Sequence, residues 1–172
     1  MRKTVMAILI SLATIGMIGC TPVKDISITQ MTNDKVNLKA YKTYAPLFST
    51  GILVDSRGTW HAQGMDVEAE LAYLFKEKMS KKKKQQVVSN PDFYVVSVTG
   101  VDMDKVKAKV SRKDQVRLEN IPEASLAIVF IDSHNGDIIW MSVAEGDLKS
   151  DLSLKKRKKR LNYTVKKMLK GL

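Results

Sequence analysis

Ser125-Leu126-Ala127-Ile128-Val129-Phe130-Ile131, then Asp132-Ser133-His134-Asn135-Gly136-Asp137, then Ile138-Ile139-Trp140-Met141-Ser142-Val143 is the clearest structural signal in the chain. The first segment is a nearly continuous apolar run of strand length, the second is polar, and the third returns to apolar residues. An Asn-Gly pair suits a turn whose central residues need positive φ, so the stretch predicts a β-hairpin. Trp140, on the returning strand, is expected in the core.

Working upstream, Asn90-Pro91-Asp92 breaks the pattern before Phe93 to Val98, a strand of β-branched and aromatic residues. Between the two strand regions, Val106, Ala108 and Val110 alternate with lysines, and Val116 and Leu118 resume the alternation. That stretch reads either as an exposed hairpin or as a partly disordered insertion. Val67, Leu71, Leu74 and Phe75 fall on one helical face. Asp66 is placed as their N-cap, with Glu68 and Glu70 near the start and lysines towards the end, as the macrodipole favours. Gly51 to Gly64 reads as a loop. Tyr41 to Tyr44 predicts a strand within Val36 to Leu47 that Pro46 ends, and Ile26 to Thr29 a short strand before a turn at Met31 to Asn33.

Downstream, Leu154, Leu161, Val165, Met168 and Leu169 share a helical face, predicting an amphipathic helix from about Asp151 to Leu169 that packs on the sheet. The expected fold is α+β, an antiparallel sheet with two helices packed on one face, forming a single domain over residues 25–172.

The N-terminus carries an address. Met1-Arg2-Lys3 is positive, Val5 to Met17 is apolar, and Gly19 puts a small residue before Cys20. This is secretory signal anatomy, and the run falls short of the roughly 20 residues a spanning helix needs. Met17-Ile18-Gly19-Cys20 resembles the lipobox, in which the cysteine receives diacylglycerol before cleavage. Residues 1–19 are expected to be removed, Cys20 to be the acylated first residue, and residues 20–24 to be a short tether. A buried thiol with cleavage elsewhere is the alternative; against it, Cys20 is the only cysteine and stands at the end of a well-formed signal. Thr21, which is not aspartate, resembles the sorting signal for the outer membrane, facing the periplasm.

The chain has 29 Lys and Arg against 18 Asp and Glu, a formal net charge of +11, and loss of Arg2 and Lys3 leaves +9. In a cytoplasmic protein that balance would suggest nucleic acid. An exported, anchored domain meets anionic lipid headgroups, lipopolysaccharide phosphates and envelope proteins instead, so no nucleic-acid partner is expected. Acylation of Cys20 also removes thiol chemistry from the mature domain.

Tyr41-Lys42-Thr43-Tyr44-Ala45, Pro91-Asp92-Phe93-Tyr94-Val95-Val96 and Ala127-Ile128-Val129-Phe130-Ile131-Asp132 leading through Gly136 to Trp140 together resemble one family. It is the group of bacterial lipoproteins carrying domain of unknown function 4136, whose terminal helix Val165-Lys166-Lys167-Met168-Leu169 also resembles. Pro46 and Met141-Ser142 depart from the pattern, standing where a tryptophan and an Arg-Gly pair are usual. The resemblance implies an α+β envelope lipoprotein and brings no activity, cofactor or catalytic residue with it.

Candidate chemistry is sparse. His134 lies beside Asp132 and Asp137, but the glycine comes one position too early for a calcium loop, and polar residues at a hairpin tip need no further explanation. His61 and Trp60 sit in the glycine-rich loop, where Trp60 is a candidate for lining a binding surface. No nucleophile elbow or phosphate-binding glycine motif occurs, so no catalytic residue, metal or cofactor is expected.

Two cationic runs remain. Lys81 to Lys84 ends a helix, where cations suit the dipole and a solvated end accounts for them. Lys155, Lys156, Arg157, Lys158, Lys159 and Arg160 instead fall in the early turns of the last helix, where the dipole opposes them, and they interrupt its apolar face. They form the candidate anion-binding site; the alternative is a solvated face offset by Glu145, Asp147 and Asp151. The expected function is a non-enzymatic binding or assembly module anchored to the bilayer through Cys20. The alternatives are a structural subunit of an envelope complex and a hydrolase of envelope polymers.

Overall fold

The computed structural model describes residues 23–50, 64–102, 106–110, 116–120, 123–149 and 151–172, with the backbone alone for 48–50, 106–110 and 116–120. The signal, lipobox and Cys20, and the loop holding Trp60 and His61, lie outside the described residues. In chain order the elements are β1 (Ser27–Thr32), β2 (Thr43–Thr50), α1 (Val67–Lys81), β3 (Gln85–Gln86), β4 (Phe93–Asp102), β5 (Val106–Val110), β6 (Val116–Asn120), β7 (Glu123–Asp132), β8 (Ile138–Asp147) and α2 (Leu154–Met168), closed by a 3-10 turn at Leu169–Gly171.

β7 and β8 form the expected hairpin, antiparallel from Glu123 opposite Asp147 to Phe130 opposite Trp140. Its turn is longer than a two-residue Asn-Gly turn. Only Gly136 has positive φ, at 78°. The Asp132 carboxylate accepts from the His134 and Asn135 amides at 2.7 and 3.3 Å, and Asn135 Oδ1 accepts from the Asp137 amide at 2.9 Å. Side-chain acceptors therefore hold a five-residue connection that the dipeptide alone would have placed in two.

The sheet order is β1-β8-β7-β4-β2-β3. β1 with β8, β8 with β7 and β7 with β4 are antiparallel, whereas β2 runs parallel to β4 and to β3. The expected α+β fold forms with a mixed sheet, because parallel neighbours need a crossover and α1 lies on the connection between β2 and β4.

Pro46 does not end β2; it lies inside the strand, opposite Val95. The Tyr44 carbonyl accepts from the Val87 amide, so Tyr44, and by the two-residue period Pro46, turn their polar groups towards β3. β3 pairs only Thr43 and Tyr44, so at Pro46 that side is an edge where a missing N–H breaks no ladder bond. Nor does the chain turn at Met31, since β1 continues to Thr32 along β8.

Alternation decides which face is covered. Phe93, Val95, Ile128, Phe130, Trp140 and Ala144 are buried together with Leu71, Leu74, Phe75 and Met79 of α1 and Val165 and Met168 of α2. Tyr44, Phe93, Phe130 and Trp140 line up ring to ring across four strands, with centroid separations of 5.9, 4.8 and 4.6 Å. Full burial of each such side chain contributes about 1.5–3 kcal/mol. On the opposite face Tyr94, Val98 and Met31 are exposed.

α1 begins where the sequence places it, with the Asp66 carboxylate accepting from the Ala69 amide at 2.9 Å. Its basic end differs from a uniformly solvated one. Lys82 and Lys83 bond back to Met79 and Ser80, Lys83 adopts φ 58°, and the chain turns Lys84 inward to 8% exposure. Lys84 Nζ donates to the carbonyls of Leu38 and Tyr41 at 2.8 and 2.7 Å and lies 5.6 Å from the Phe93 ring centre.

α2 starts at Leu154, after Ser153, rather than at Asp151. Leu161 is partly buried and Leu154 is exposed, because the first turns of α2 extend past Arg160, which itself sits against Gly146 near the end of β8. β5 and β6 pair with each other as a two-stranded antiparallel sheet, the pairing a hairpin requires, and residues 111–115 between them lie outside the described residues.

Candidate anion-binding site

α2 carries its cations in an unfavourable place. Its first turn has no acidic residue and Ser153 makes no side-chain cap bond, so the dipole's positive end and the lysines reinforce one another. The six cations take different roles. Lys158 reaches across to α1, its Nζ 2.6 Å from a Glu70 oxygen. Arg160 turns under the helix, with Nη1 and Nη2 donating to the two Asp25 oxygens at 2.9 and 2.5 Å and Nη2 also to the Asp147 carbonyl at 3.2 Å. Arg157 is partly buried, while Lys155, Lys156 and Lys159 project to the surface. Asp25 and Glu70 thus offset two of the cations, while Asp147 contributes its carbonyl to Arg160 and has its carboxylate 2.9 Å from Lys149.

The guanidinium reaches Asp25 only because β8 has glycine at 146. A Cβ there would stand 2.8 Å from Arg160 Nη2 and 3.3 Å from an Asp25 oxygen. Burial alone would push the Asp25 carboxyl up, but the Arg160 hydrogen bond, its charge and the Asp147 amide outweigh it and hold the group below the ordinary carboxylate value. This clasp joins the beginning of the domain to α2 and the end of β8.

Between the helices lies a groove of about 480 Å³, where Glu70, Tyr73 and Glu77 of α1 face Leu154, Lys155 and Lys159 of α2. Hydrogen bonds from Lys81 and Lys78 hold the Glu77 carboxyl down to about 2, so it stays ionised. With carboxylates along one wall and Lys155 and Lys159 along the other, the groove is mixed in sign, and both lysines, like Lys156, remain exposed at its rim.

The histidine-carboxylate group at the hairpin tip is otherwise employed. His134 is exposed, with Nδ1 3.4 Å from Asp132 Oδ1. The second Asp132 oxygen accepts from the Tyr41 hydroxyl at 2.5 Å, and one Asp92 oxygen accepts from the Lys42 and Thr43 amides at 2.6 and 2.7 Å. These carboxylates tie the segment before β2 to the ends of β4 and β7. Among the described residues, no three His, Cys, Asp or Glu side chains gather as metal ligands.

The Asp132 hydrogen bond, with burial, pushes the Tyr41 hydroxyl up to about 12. Its contribution to stability is therefore complete below the unfolded value near pH 10 and is lost as pH rises towards 12. Tyr41→Phe is expected to cost about 1–2 kcal/mol at neutral pH and to abolish this alkaline loss. Urea midpoints measured from pH 7 to 12 check both effects.

Asp25, Gly146 and Lys84 escape a reading of the sequence for chemistry. Only Gly146 leaves a local trace there, as a glycine late in a strand pattern, which marks close approach by another group.

A family model described as "Domain of unknown function (DUF4136)" matches residues 29–172. Among solved structures, a DUF4136 family protein from Bacteroides thetaiotaomicron is similar at 13% identity, over 83% of this chain and 95% of that one, with a TM-score of 0.50. A PDZ domain protein from Parabacteroides distasonis is similar at 14% identity and TM-score 0.48, over 84% of this chain, which spans only 36% of that one. A lipoprotein from Neisseria meningitidis is similar at 12% identity and TM-score 0.37, over 76% of this chain and 99% of that one. Comparison with curated proteins gives no match. At these identities the likenesses concern the fold alone.

Proposed function

The chain belongs to the DUF4136 family, and from that premise we propose that it is a cell-envelope lipoprotein whose cationic α2 surface contacts anionic headgroups or lipopolysaccharide phosphates. Residues 1–19 serve export, Cys20 carries the lipid, and the domain faces the periplasm from the outer membrane as a non-enzymatic binding module. Among the described residues, no helix is long and apolar enough to cross a membrane; in this reading the acyl chains supply the attachment.

The observation that carries the reading is the clasp. Asp25 holds the domain's first residues against Arg160, beside the exposed Lys155, Lys156 and Lys159. Cys20 lies five residues before Asp25, a reach of at most about 18 Å. An acylated Cys20 therefore brings the bilayer to the end of the domain where these lysines project.

Each basic residue near an anionic surface contributes about 1 kcal/mol, so three together are worth about a hundredfold in binding. Flotation with vesicles separates the parts. Cys20→Ala is expected to abolish lipid labelling and binding to zwitterionic vesicles while keeping weak binding to anionic ones. Adding Lys155→Gln, Lys156→Gln and Lys159→Gln should remove that remainder by about a hundredfold. Equal binding with and without the three lysines refutes the role of α2, and lipid labelling that survives Cys20→Ala refutes the anchor.

A further inference from the structure

The face of the sheet turned away from the helices carries an apolar surface of its own. Leu47, Val96, Val129, Met141 and Met31 are register neighbours across β2, β4, β7, β8 and β1, so they stand side by side on that face. Tyr94 and Ile138 belong to the row on one side of them, and Val98 and Val143 to the row on the other. Because α1 and α2 pack on the opposite face, this one stays open: Met31 is 60% exposed, Leu47 55% and Ile138 53%.

Size and charge identify what fits it. A residue occupies about 16 Å² of sheet, so these five strands present roughly 700 Å², of which the three apolar rows fill roughly 400 Å². Monomers rarely expose a contiguous apolar patch larger than a few hundred Å². A standard interface takes about 800 Å² from each partner, with an apolar centre and a polar rim. The rim is present here as well. Beyond Val98 and Val143 the next row holds Glu145, and the one after it Asp102, Glu123 and Asp147.

Of the chain's 29 Lys and Arg, none falls in these rows. The face therefore lacks the cations that an anionic bilayer or a nucleic acid would meet, and the carboxylates at its end oppose both. It is also the side on which two copies of a strongly basic chain approach each other without bringing cations together. The same face of a second copy matches it in size, flatness and apolar character.

We propose that this sheet face is a homodimer interface, on which two copies stack sheet to sheet about a twofold axis with their sheets about 10 Å apart. The helical layers, and with them Lys155, Lys156 and Lys159, stay on the outside of the pair. The dimer goes beyond the membrane-contact reading and does not depend on it.

Sedimentation of the full-length protein in mild detergent tests the proposal, with a dimer expected at about micromolar concentration. Leu47→Lys combined with Ile138→Lys puts cations into the interface at positions more than half exposed in one copy, and should raise the dissociation constant about a hundredfold. Tyr73→Lys combined with Leu154→Lys, at exposed apolar positions on the helical side, should leave it unchanged. Val129→Cys, in the middle row on the middle strand, should join two copies through a short bismaleimide. Val88→Cys, fully exposed beyond β3, should not, and wild type alongside accounts for Cys20.

A protein that stays monomeric well above micromolar concentration overturns the proposal, and so does a dimer that survives Leu47→Lys with Ile138→Lys. A monomer in which Val129→Cys does not react with maleimide also overturns it, because the face is then covered from within the chain. If circular dichroism shows that the lysine pair disturbs the fold, the Val129→Cys cross-link decides, and its absence overturns the dimer.

Discussion

Lys84→Met is expected to lower the thermal midpoint by roughly 5–15 °C, the shift that about 2–4 kcal/mol produces in a domain of this size. Methionine matches the length and fills the space, so the loss isolates the ammonium group. Without it the Leu38 and Tyr41 carbonyls, which accept from Nζ at 2.8 and 2.7 Å, lose their donor beside the Phe93 ring. An acceptor stripped of its partner at a site closed to water costs about 1–3 kcal/mol. The net effect is below the sum for two because the ammonium also pays for its own desolvation.

pH separates these terms. Burial, and then the nearby charge of Lys42, hold the Lys84 amine below its ordinary value of 10.5. Between the depressed value and 10.5 the unfolded chain binds more protons, so the wild type should gain stability relative to Lys84→Met as pH rises through that interval. A difference between the two proteins that shrinks there would contradict this account. Thermal melts of both from pH 7 to 10 are sufficient.

What the sequence reveals about this fold depends on how local the deciding interaction is. β7, β8 and α1 announce themselves because alternation, the Asn135-Gly136 pair and the Asp66 cap act over a few residues. Pro46 misleads because its acceptability in β2 depends on β3 ending at Gln86, in a segment some forty residues away. The parallel pairing of β2 with β4 depends likewise on where α1 carries the chain. Lys84 belongs by sequence to a solvated run, and only the turn at Lys83 directs it inward. Leu154 shows the opposite failure: it has the right helical phase for the core but stands beyond the end of the sheet that would cover it.

For the site, the chain shows the cations but not their division of labour. Lys155 to Arg160 is conspicuous as a block, yet the Asp25 that engages Arg160 is 135 positions away. Splitting the block into an inward Arg160, a bridging Lys158 and the exposed Lys155, Lys156 and Lys159 requires the fold.

That division supports the second large effect, on the clasp itself. Arg160→Leu keeps an aliphatic stem under α2 but strands the Asp25 carboxylate, whose side chain is only 20% exposed. The expected loss is about 2–3 kcal/mol, below the 3–5 kcal/mol of a fully buried broken pair because water still reaches the site. Gly146→Ala should break the same contact from the other side, since the added Cβ would stand 2.8 Å from Nη2. If both act through the clasp, the double variant should be little worse than the more damaging single one, with a coupling of about 1–2 kcal/mol; full additivity would mean that Gly146 matters for the strand and not for the ion pair.

Acid provides an independent check. The folded Asp25 carboxyl titrates below its ordinary 3.8, so its contribution is present above that value and disappears as pH falls through the lower folded value. Wild type and Arg160→Leu should therefore differ fully well above 3.8 and converge as pH falls through the lower folded value. The functional consequence follows from where the clasp sits. With Asp25 released, the tether gains several free residues, and the anchored domain should no longer hold Lys155, Lys156 and Lys159 at a fixed height above the bilayer. Arg160→Leu should then weaken protection of those lysines from amine-reactive reagents on vesicles, while leaving flotation through Cys20 intact.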